Sequence, residues 1–184
     1  MKPKVLVTRQ VFDEVLAFLA RDLDVESNQE DRQLPPEELR ARLADKEGVM
    51  CALTDRIDAP LVAACPRLKA VCNIAVGYNN IDVAACSERG IVVTNTPGVL
   101  DETTADLVWA LMLAAARRLT EAEAYLRNGQ WRGWHLKQLL GTDVHHATLG
   151  IVGMGRIGQA IARRAAGFSM RTLYHNRKRV DAAI

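Results

Sequence analysis

The sequence predicts an α/β protein built around parallel sheet, and three observations predict it. Strand-like apolar runs and helix-like periodicities alternate over about the first hundred residues. The apolar run at residues 148–152 passes straight into G-x-G-x-x-G, formed by Gly153, Gly155 and Gly158, and then into helical spacing. The 184 residues are 49% hydrophobic and 25% charged, a soluble globular balance with room for one large domain or two small ones.

Each element follows from local pattern. Residues 5–8 form a short apolar strand, and Val11, Phe12, Val15, Leu16 and Leu19 recur at helical spacing. Residues 25–27 read as a second strand with polar flanks. Pro35, Pro36, Glu37 and Glu38 open a helix, because prolines and acids both suit a helix N-terminus. Residues 48–53 read as a buried strand, and Asp58, ahead of Ala59 and Pro60, is the candidate cap of the next helix. A strand at 68–75, a helix at 82–88 and a strand at 91–94 complete the alternation.

The pattern then changes. Residues 103–119 are apolar almost all round, which predicts a helix buried on most faces, with Asp101, Thr103 or Thr104 as its cap. A second helix at 120–128 ends at Gly129, placed for a left-handed cap. Residues 130–146, which include Trp131 and Trp134, are irregular; a loop of that length is usually functional or makes contacts between chains.

Charge and cysteine usage narrow the function classes. A net charge of +2 argues against nucleic acid or an anionic membrane as the main partner. No apolar run is long enough to span a bilayer, and the N-terminus lacks a signal-peptide pattern, so a cytoplasmic location is expected. Cys51, Cys65, Cys72 and Cys86 form no C-x-x-C and have no histidine nearby, so no metal site is expected. Cys51 and Cys72 fall in strand-like runs and read as buried thiols.

In the glycine motif, Gly153 permits the tight turn, Gly155 lets backbone approach a pyrophosphate, and Gly158 lets helix and strand pack closely. The free N–H groups near Arg156 and Ile157 then face the phosphates. A strand before the motif and a helix after it favour a dinucleotide site over a ligand-free glycine turn. An NAD site normally carries an acid ~20 residues on, at the end of the second strand. Here residues 172–174 form that strand, Asn176, Arg177, Lys178 and Arg179 follow it closely, and no Asp or Glu occurs between Gly158 and Asp181. Arg177 and Arg179 would attract a 2′-phosphate. The expected cofactor is NADP(H), with NAD(H) as the alternative; a solvated basic loop is the bland reading of the same residues.

Four blocks carry a family resemblance: N-I-A-V-G-Y-N-N-I-D at 73–82, T-N-T-P-G-V-L at 94–100, T-T-A-D at 103–106 and G-I-V-G-M-G-R-I-G at 150–158. In that order they resemble the D-isomer-specific 2-hydroxyacid dehydrogenases, in particular the glyoxylate/hydroxypyruvate reductase branch that includes 2-ketogluconate reductases. The resemblance implies a flavodoxin-like outer domain over residues 1–100, lacking its C-terminal return. It also implies the first part of an inserted Rossmann nucleotide-binding domain over residues 101–184, truncated.

By the same resemblance, Val76 and Gly77 hold the substrate carboxylate, Leu53 lines the pocket and Thr104 lies close to the cofactor. Exposed N–H groups after a parallel strand suit an anion, although a plain strand-ending turn would look alike. Thr104 would equally serve as a helix cap. The long apolar helix and the loop match a dimerisation region in which Trp134 reaches the partner's active site; packing within the chain is the alternative for Trp131 and Trp134. The family's catalytic Arg, Glu and His are expected downstream of Ile184, and His135, His145, His146 and His175 do not match that histidine. No catalytic residue is therefore assigned. Ser169 is a departure, because the family commonly has glycine there.

The implied activity is NADPH-dependent reduction of a small 2-oxo acid, such as glyoxylate, hydroxypyruvate or 2-ketogluconate, to the D-2-hydroxy acid by a homodimeric parent protein. One alternative is that the chain alone is a non-catalytic dimerising or nucleotide-binding fragment. Another, less favoured, is an NAD(H)-sensing relative of the family's co-repressors.

Overall fold

The computed structural model describes residues 1–180, so Asp181 and the three residues after it lie outside the described part. The chain forms two compact units that divide after Pro97. In the first, five strands pair in parallel: β1 (Lys4–Val7), β2 (Asp24–Ser27), β3 (Gly48–Cys51), β4 (Ala70–Asn73) and β5 (Val92–Thr94). Their order is β2-β1-β3-β4-β5. The direction of winding reverses beside β1, which is the flavodoxin-like doubly wound arrangement. Parallel strands need crossovers, and α1 (Asp13–Leu19), α2 (Pro36–Leu43), α3 (Ala59–Ala64) and α4 (Val83–Glu88) supply them.

Local chemistry starts these helices where the sequence pattern places them. Asp58 accepts a hydrogen bond from the Leu61 N–H at 3.1 Å and caps α3. Asp82 does the same for α4 through the Ala85 N–H at 3.0 Å. Pro36 occupies the first turn of α2, where a missing N–H costs nothing.

The strands bury alternate residues. Leu6, Val49 and Val71 point into a core shared with Leu39 and Leu43 of α2, Leu61 and Val62 of α3, and Cys86 of α4. The opposite alternation leaves Val5, Met50, Ala70 and Cys72 lining an open apolar groove of about 460 Å³, bordered by Leu19 of α1. Cys72 is accordingly exposed, not buried as its apolar surroundings in the sequence suggest: it faces the side of the sheet that α2, α3 and α4 do not cover. Cys51, Cys65 and Cys86 are buried, and burial pushes the Cys51 thiol up to about 12, so it stays neutral.

The second unit contains α5 (Asp101–Ala116), α6 (Leu119–Arg127), β6 (Thr148–Val152), α7 (Arg156–Ala165), a 3₁₀ turn (Ala166–Phe168) and β7 (Arg171–His175). β6 and β7 pair in parallel, with Val152 opposite His175. The core between α5, α7 and the strands is small. Trp109, Val144 and Ala165 are buried, with Ile161, Phe168 and Met170 packed against them.

Two expectations for α5 need correction. None of Asp101, Thr103 and Thr104 caps the helix: Leu100 is the cap residue and no side chain takes the role. Asp101 and Glu102 instead lie in the first turn, where a carboxylate still favours the helix dipole. Nor is the helix buried on most faces. Only Ala105 and Trp109 are buried, whereas Leu107 and Leu111 are 58% and 61% exposed. Apolar composition records that a face favours burial without saying which surface covers it. Gly129, at φ 64°, has the left-handed conformation its position predicts.

Ser169 also keeps the left-handed conformation, with φ 52° and ψ 35°, and Gly167 does not take that duty from it. A side chain in this region is strained, so Ser169→Gly is expected to stabilise the second unit by roughly 1 kcal/mol. An increased denaturant midpoint for β6 and β7 would show it; an unchanged or lower midpoint would remove strain as the account of this position.

Candidate functional site

Each unit presents one constellation, both at the carboxyl ends of parallel strands. In the first unit the loop after β4 runs through Ala75, Val76 and Gly77. Its carbonyls are held: Thr96 N–H donates to Ala75 O at 2.9 Å, Asn95 Nδ2 to Val76 O at 2.8 Å and Asn73 Nδ2 to Gly77 O at 2.7 Å. Among the described residues, neither the Val76 nor the Gly77 N–H has an acceptor. Two consecutive N–H donors are thus free on a fixed backbone, which is the chemistry of an anion-binding nest. Gly77 is exposed, and a Cβ there would lie 3.8 Å from Leu53 Cδ2 and 3.4 Å from Asn79 Oδ1.

Leu53 lies past the end of β3, not within it as the apolar run predicts, because β3 stops at Cys51. Leu53 is 56% exposed and borders a second hollow of about 510 Å³ with Phe12 and Ile74. Leu53 and Gly77 are therefore neighbours at one rim, the carboxyl edge where doubly wound sheets bind ligands.

Beneath the rim is a buried polar network that sequence reasoning missed. Thr8 Oγ1 donates to Asp55 Oδ2 at 2.5 Å, and the Ala52 N–H donates to the same oxygen at 2.9 Å. Asn80 Nδ2 donates to the carbonyls of Ala52 and Asp55 at 3.1 and 3.0 Å, while Asn73 Nδ2 also reaches Asn80 Oδ1 at 3.2 Å. The available signal was an asparagine ending an otherwise apolar strand, where β-propensity is poor.

In the second unit, β6 leads into Gly153, whose φ of 98° only glycine adopts readily. Gly153 N–H donates to His175 O at 2.8 Å, tying the turn to the end of β7. Gly155 precedes α7, and a Cβ there would enter open space, leaving room for a ligand against the backbone. At Gly158 a Cβ would meet Gly153 O at 2.2 Å, so the helix approaches the turn as closely as backbone allows. No side chain caps α7 and its first turn holds no acid, so the N–H groups at Arg156 and Ile157 remain available to an anion.

Past β7, Asn176 occupies the strand end. Its Oδ1 accepts from the Met154 N–H at 3.4 Å and its Nδ2 donates to Lys178 O at 2.9 Å. Arg177, Lys178 and Arg179 follow, all exposed. Thr104 lies in the first turn of α5, its N–H bonded to Leu100 O at 2.9 Å. Trp134 is 75% exposed and Trp131 46% exposed, so neither is packed away within the chain. Among the described residues no cluster of histidines, cysteines and acids could hold a metal, and no helix is long and apolar enough to cross a membrane.

Known proteins share this architecture. Glyoxylate reductase from Thermococcus kodakarensis is 48% identical across 100% of this chain and 56% of its own length. That from Pyrococcus furiosus is 46% identical with the same coverage. The crystal structure of the TT0316 protein from Thermus thermophilus superposes with a TM-score of 0.91 at 46% identity, over 98% of this chain and 58% of the other. An NADPH-dependent glyoxylate/hydroxypyruvate reductase from Sinorhizobium meliloti, solved with citrate, gives 0.81 at 34%, over 98% and 56%. The chain thus spans little more than half the length of the relatives it matches. Residues 5–176 match the model of the D-isomer specific 2-hydroxyacid dehydrogenase catalytic domain, and the chain belongs to that family.

Proposed function

We propose that this chain supplies the carboxylate-recognition and phosphate-recognition parts of an NADPH-dependent reductase acting on a small 2-oxo acid. Glyoxylate, hydroxypyruvate and 2-ketogluconate are the candidate substrates, and the D-2-hydroxy acid is the product. The observation that carries this reading is the pair of free N–H groups at Val76 and Gly77 on a backbone whose carbonyls are all held. Such donors are aimed before the substrate arrives and cost little reorganisation when it binds. Leu53 closes the apolar side of the same rim.

Gly153, Gly155, Gly158 and the first turn of α7 would hold the pyrophosphate, with Thr104 near the cofactor. Asn176, Arg177, Lys178 and Arg179 would surround the adenosine ribose, where cations favour a 2′-phosphate over a bare hydroxyl. The bound nicotinamide would supply the hydride. An Arg, a Glu and a His from outside this chain would complete the chemistry, as the family resemblance implies. The open apolar groove on the sheet's second face supports a returning segment of that protein, since parallel sheets are normally covered on both faces.

Two measurements test this. A complete protein carrying this sequence is expected to oxidise NADPH with glyoxylate or hydroxypyruvate, and no turnover on any 2-oxo acid would reject the reading. NADPH is expected to bind more tightly than NADH, and Arg177→Ala to erase that difference; equal binding by the unaltered protein would reject the cofactor preference alone.

The second reading concerns the chain by itself, as a non-catalytic module that dimerises. Leu107 and Leu111, exposed one turn apart on α5, and the exposed Trp134 favour it, because large apolar side chains left in solvent mark interaction sites. In a dimer of the complete enzyme the same loop would carry Trp134 to the partner's active site.

A further inference from the structure

We propose that Asn73 and Asn80 are positioning residues for carboxylate recognition, a two-amide clamp that fixes the far end of the loop carrying the free N–H groups of Val76 and Gly77. The inference rests on the reading of that loop as the carboxylate cradle. Asn73 ends β4, is buried, and has its side chain fixed on both sides. Its Nδ2 donates to Gly77 O at 2.7 Å, and its Oδ1 accepts from Cys51 Sγ at 3.6 Å. Burial keeps that Cys51 thiol protonated and able to donate.

Asn80 carries the constraint onward. Its Nδ2 donates to the carbonyls of Ala52 and Asp55, which flank Leu53 and Thr54 on the loop after β3. Its own backbone carbonyl accepts from the Ile57 N–H at 2.9 Å, where Ile57 and Ile81 bridge the two loops. The two amides therefore join the loop carrying Leu53 to the loop carrying Gly77. A peptide unit whose C=O is held inward presents its N–H outward, because the two groups are antiparallel across a planar amide. Thr96 N–H on Ala75 O thus orients the N–H of Val76, Asn95 Nδ2 on Val76 O orients that of Gly77, and Asn73 Nδ2 on Gly77 O fixes the peptide unit that follows them. Asn73 closes the far end of this run, and without it the peptide unit after Gly77 is free to turn and the loop loses its tie to β4.

The test uses the 184-residue chain, labelled with ¹⁵N and titrated with oxamate, a non-reacting 2-oxo acid analogue. The Val76 and Gly77 amides are expected to shift. Asn73→Ala is expected to weaken the response about tenfold while the amides of β1, β3 and β4 keep their dispersion. Val62→Ala removes methyl groups from the same core away from the rim and is expected to leave oxamate binding unchanged. If Asn73→Ala does not fold, Asn80→Ser takes its place with the same expected loss. Wild-type affinity in the clamp variant, or an equal loss in Val62→Ala, overturns the clamp and leaves the cradle standing. A separate variant isolates the cradle: Gly77→Ala places its Cβ in ordinary contact only, so the fold survives while close anion approach is blocked. Undiminished binding in Gly77→Ala, or no shift at Val76 and Gly77 in the wild-type chain, overturns the cradle and the clamp together.

Discussion

Gly158→Ala is expected to disable the glycine turn proposed to hold the pyrophosphate and to destabilise the second unit. The added Cβ would stand 2.2 Å from Gly153 O and 3.2 Å from Gly153 C. Both are backbone atoms, so no rotamer change relieves the clash. Either α7 retreats or the turn reshapes, and Gly153 resists reshaping because its φ of 98° and its hydrogen bond to His175 O fix it between the strands. Overpacking of this kind costs about 1–3 kcal/mol, and more where backbone meets backbone. The free N–H groups of α7 move with the helix, and losing one hydrogen bond to a charged phosphate, about 1.5–3 kcal/mol, lowers dinucleotide affinity by roughly tenfold or more. Gly155→Ala is the contrasting variant, since its Cβ enters open space: its thermal midpoint should stay near wild type while binding falls. Calorimetric titration with NADPH and a melting curve separate the two. Wild-type binding and stability in Gly158→Ala would mean that α7 and the turn are not in the close contact described.

Sequence pattern reaches some of this structure and not the rest, for physical reasons. Asp58 is legible as a cap because capping is local: the carboxylate bonds an N–H three residues on, and Pro60 marks the first turn. The glycine turn is legible because its glycines serve separate backbone requirements at fixed spacing. The end of β3 is not, because Leu53 is apolar for the sake of the rim and so extends the strand pattern past its hydrogen-bonded end. Cys72 misleads in the same way, since alternation predicts two faces but not which face receives helices. The exposure of Leu107 and Leu111 depends on a covering surface the pattern never mentions. The Asn73–Asn80 pair escapes notice because its partners, Ala52 and Asp55, are brought near only by the pairing of β3 with β4.

The largest stability effect is expected at Trp109. Two kinds of contact join α5 to α7. Glu102 pairs with Arg163 and Arg164 and Asp106 pairs with Arg164, and the Arg164 guanidinium holds the Glu102 carboxyl below its usual range. Both acids are well exposed, and water and salt screen such pairs until each contributes little. Trp109 is 5% exposed, stacks on Phe168 with ring centroids 4.6 Å apart, and donates Nε1–H to Ile161 O at 3.1 Å. Removing a buried tryptophan typically costs about 3–5 kcal/mol, a large share of the roughly 5–15 kcal/mol that holds an ordinary domain folded. Among the described residues, the buried side chains clustered with it are the smaller Val144 and Ala165, so collapse around the cavity recovers little. Trp109→Ala is therefore expected to unfold the second unit, whereas Glu102→Gln leaves it folded with only a slight loss of stability. Trp109→Phe keeps most of the stacking and loses the hydrogen bond, placing it between the two, near 1 kcal/mol for the bond and somewhat more for the smaller ring. The first unit's core is drawn from residues before Pro97, with Val93 the last described residue packed against it, so its amides should stay dispersed while those of α5, β6, α7 and β7 collapse. Glu102→Gln proving more damaging than Trp109→Ala would mean that charge, not aromatic burial, holds α5 to the nucleotide-type turn.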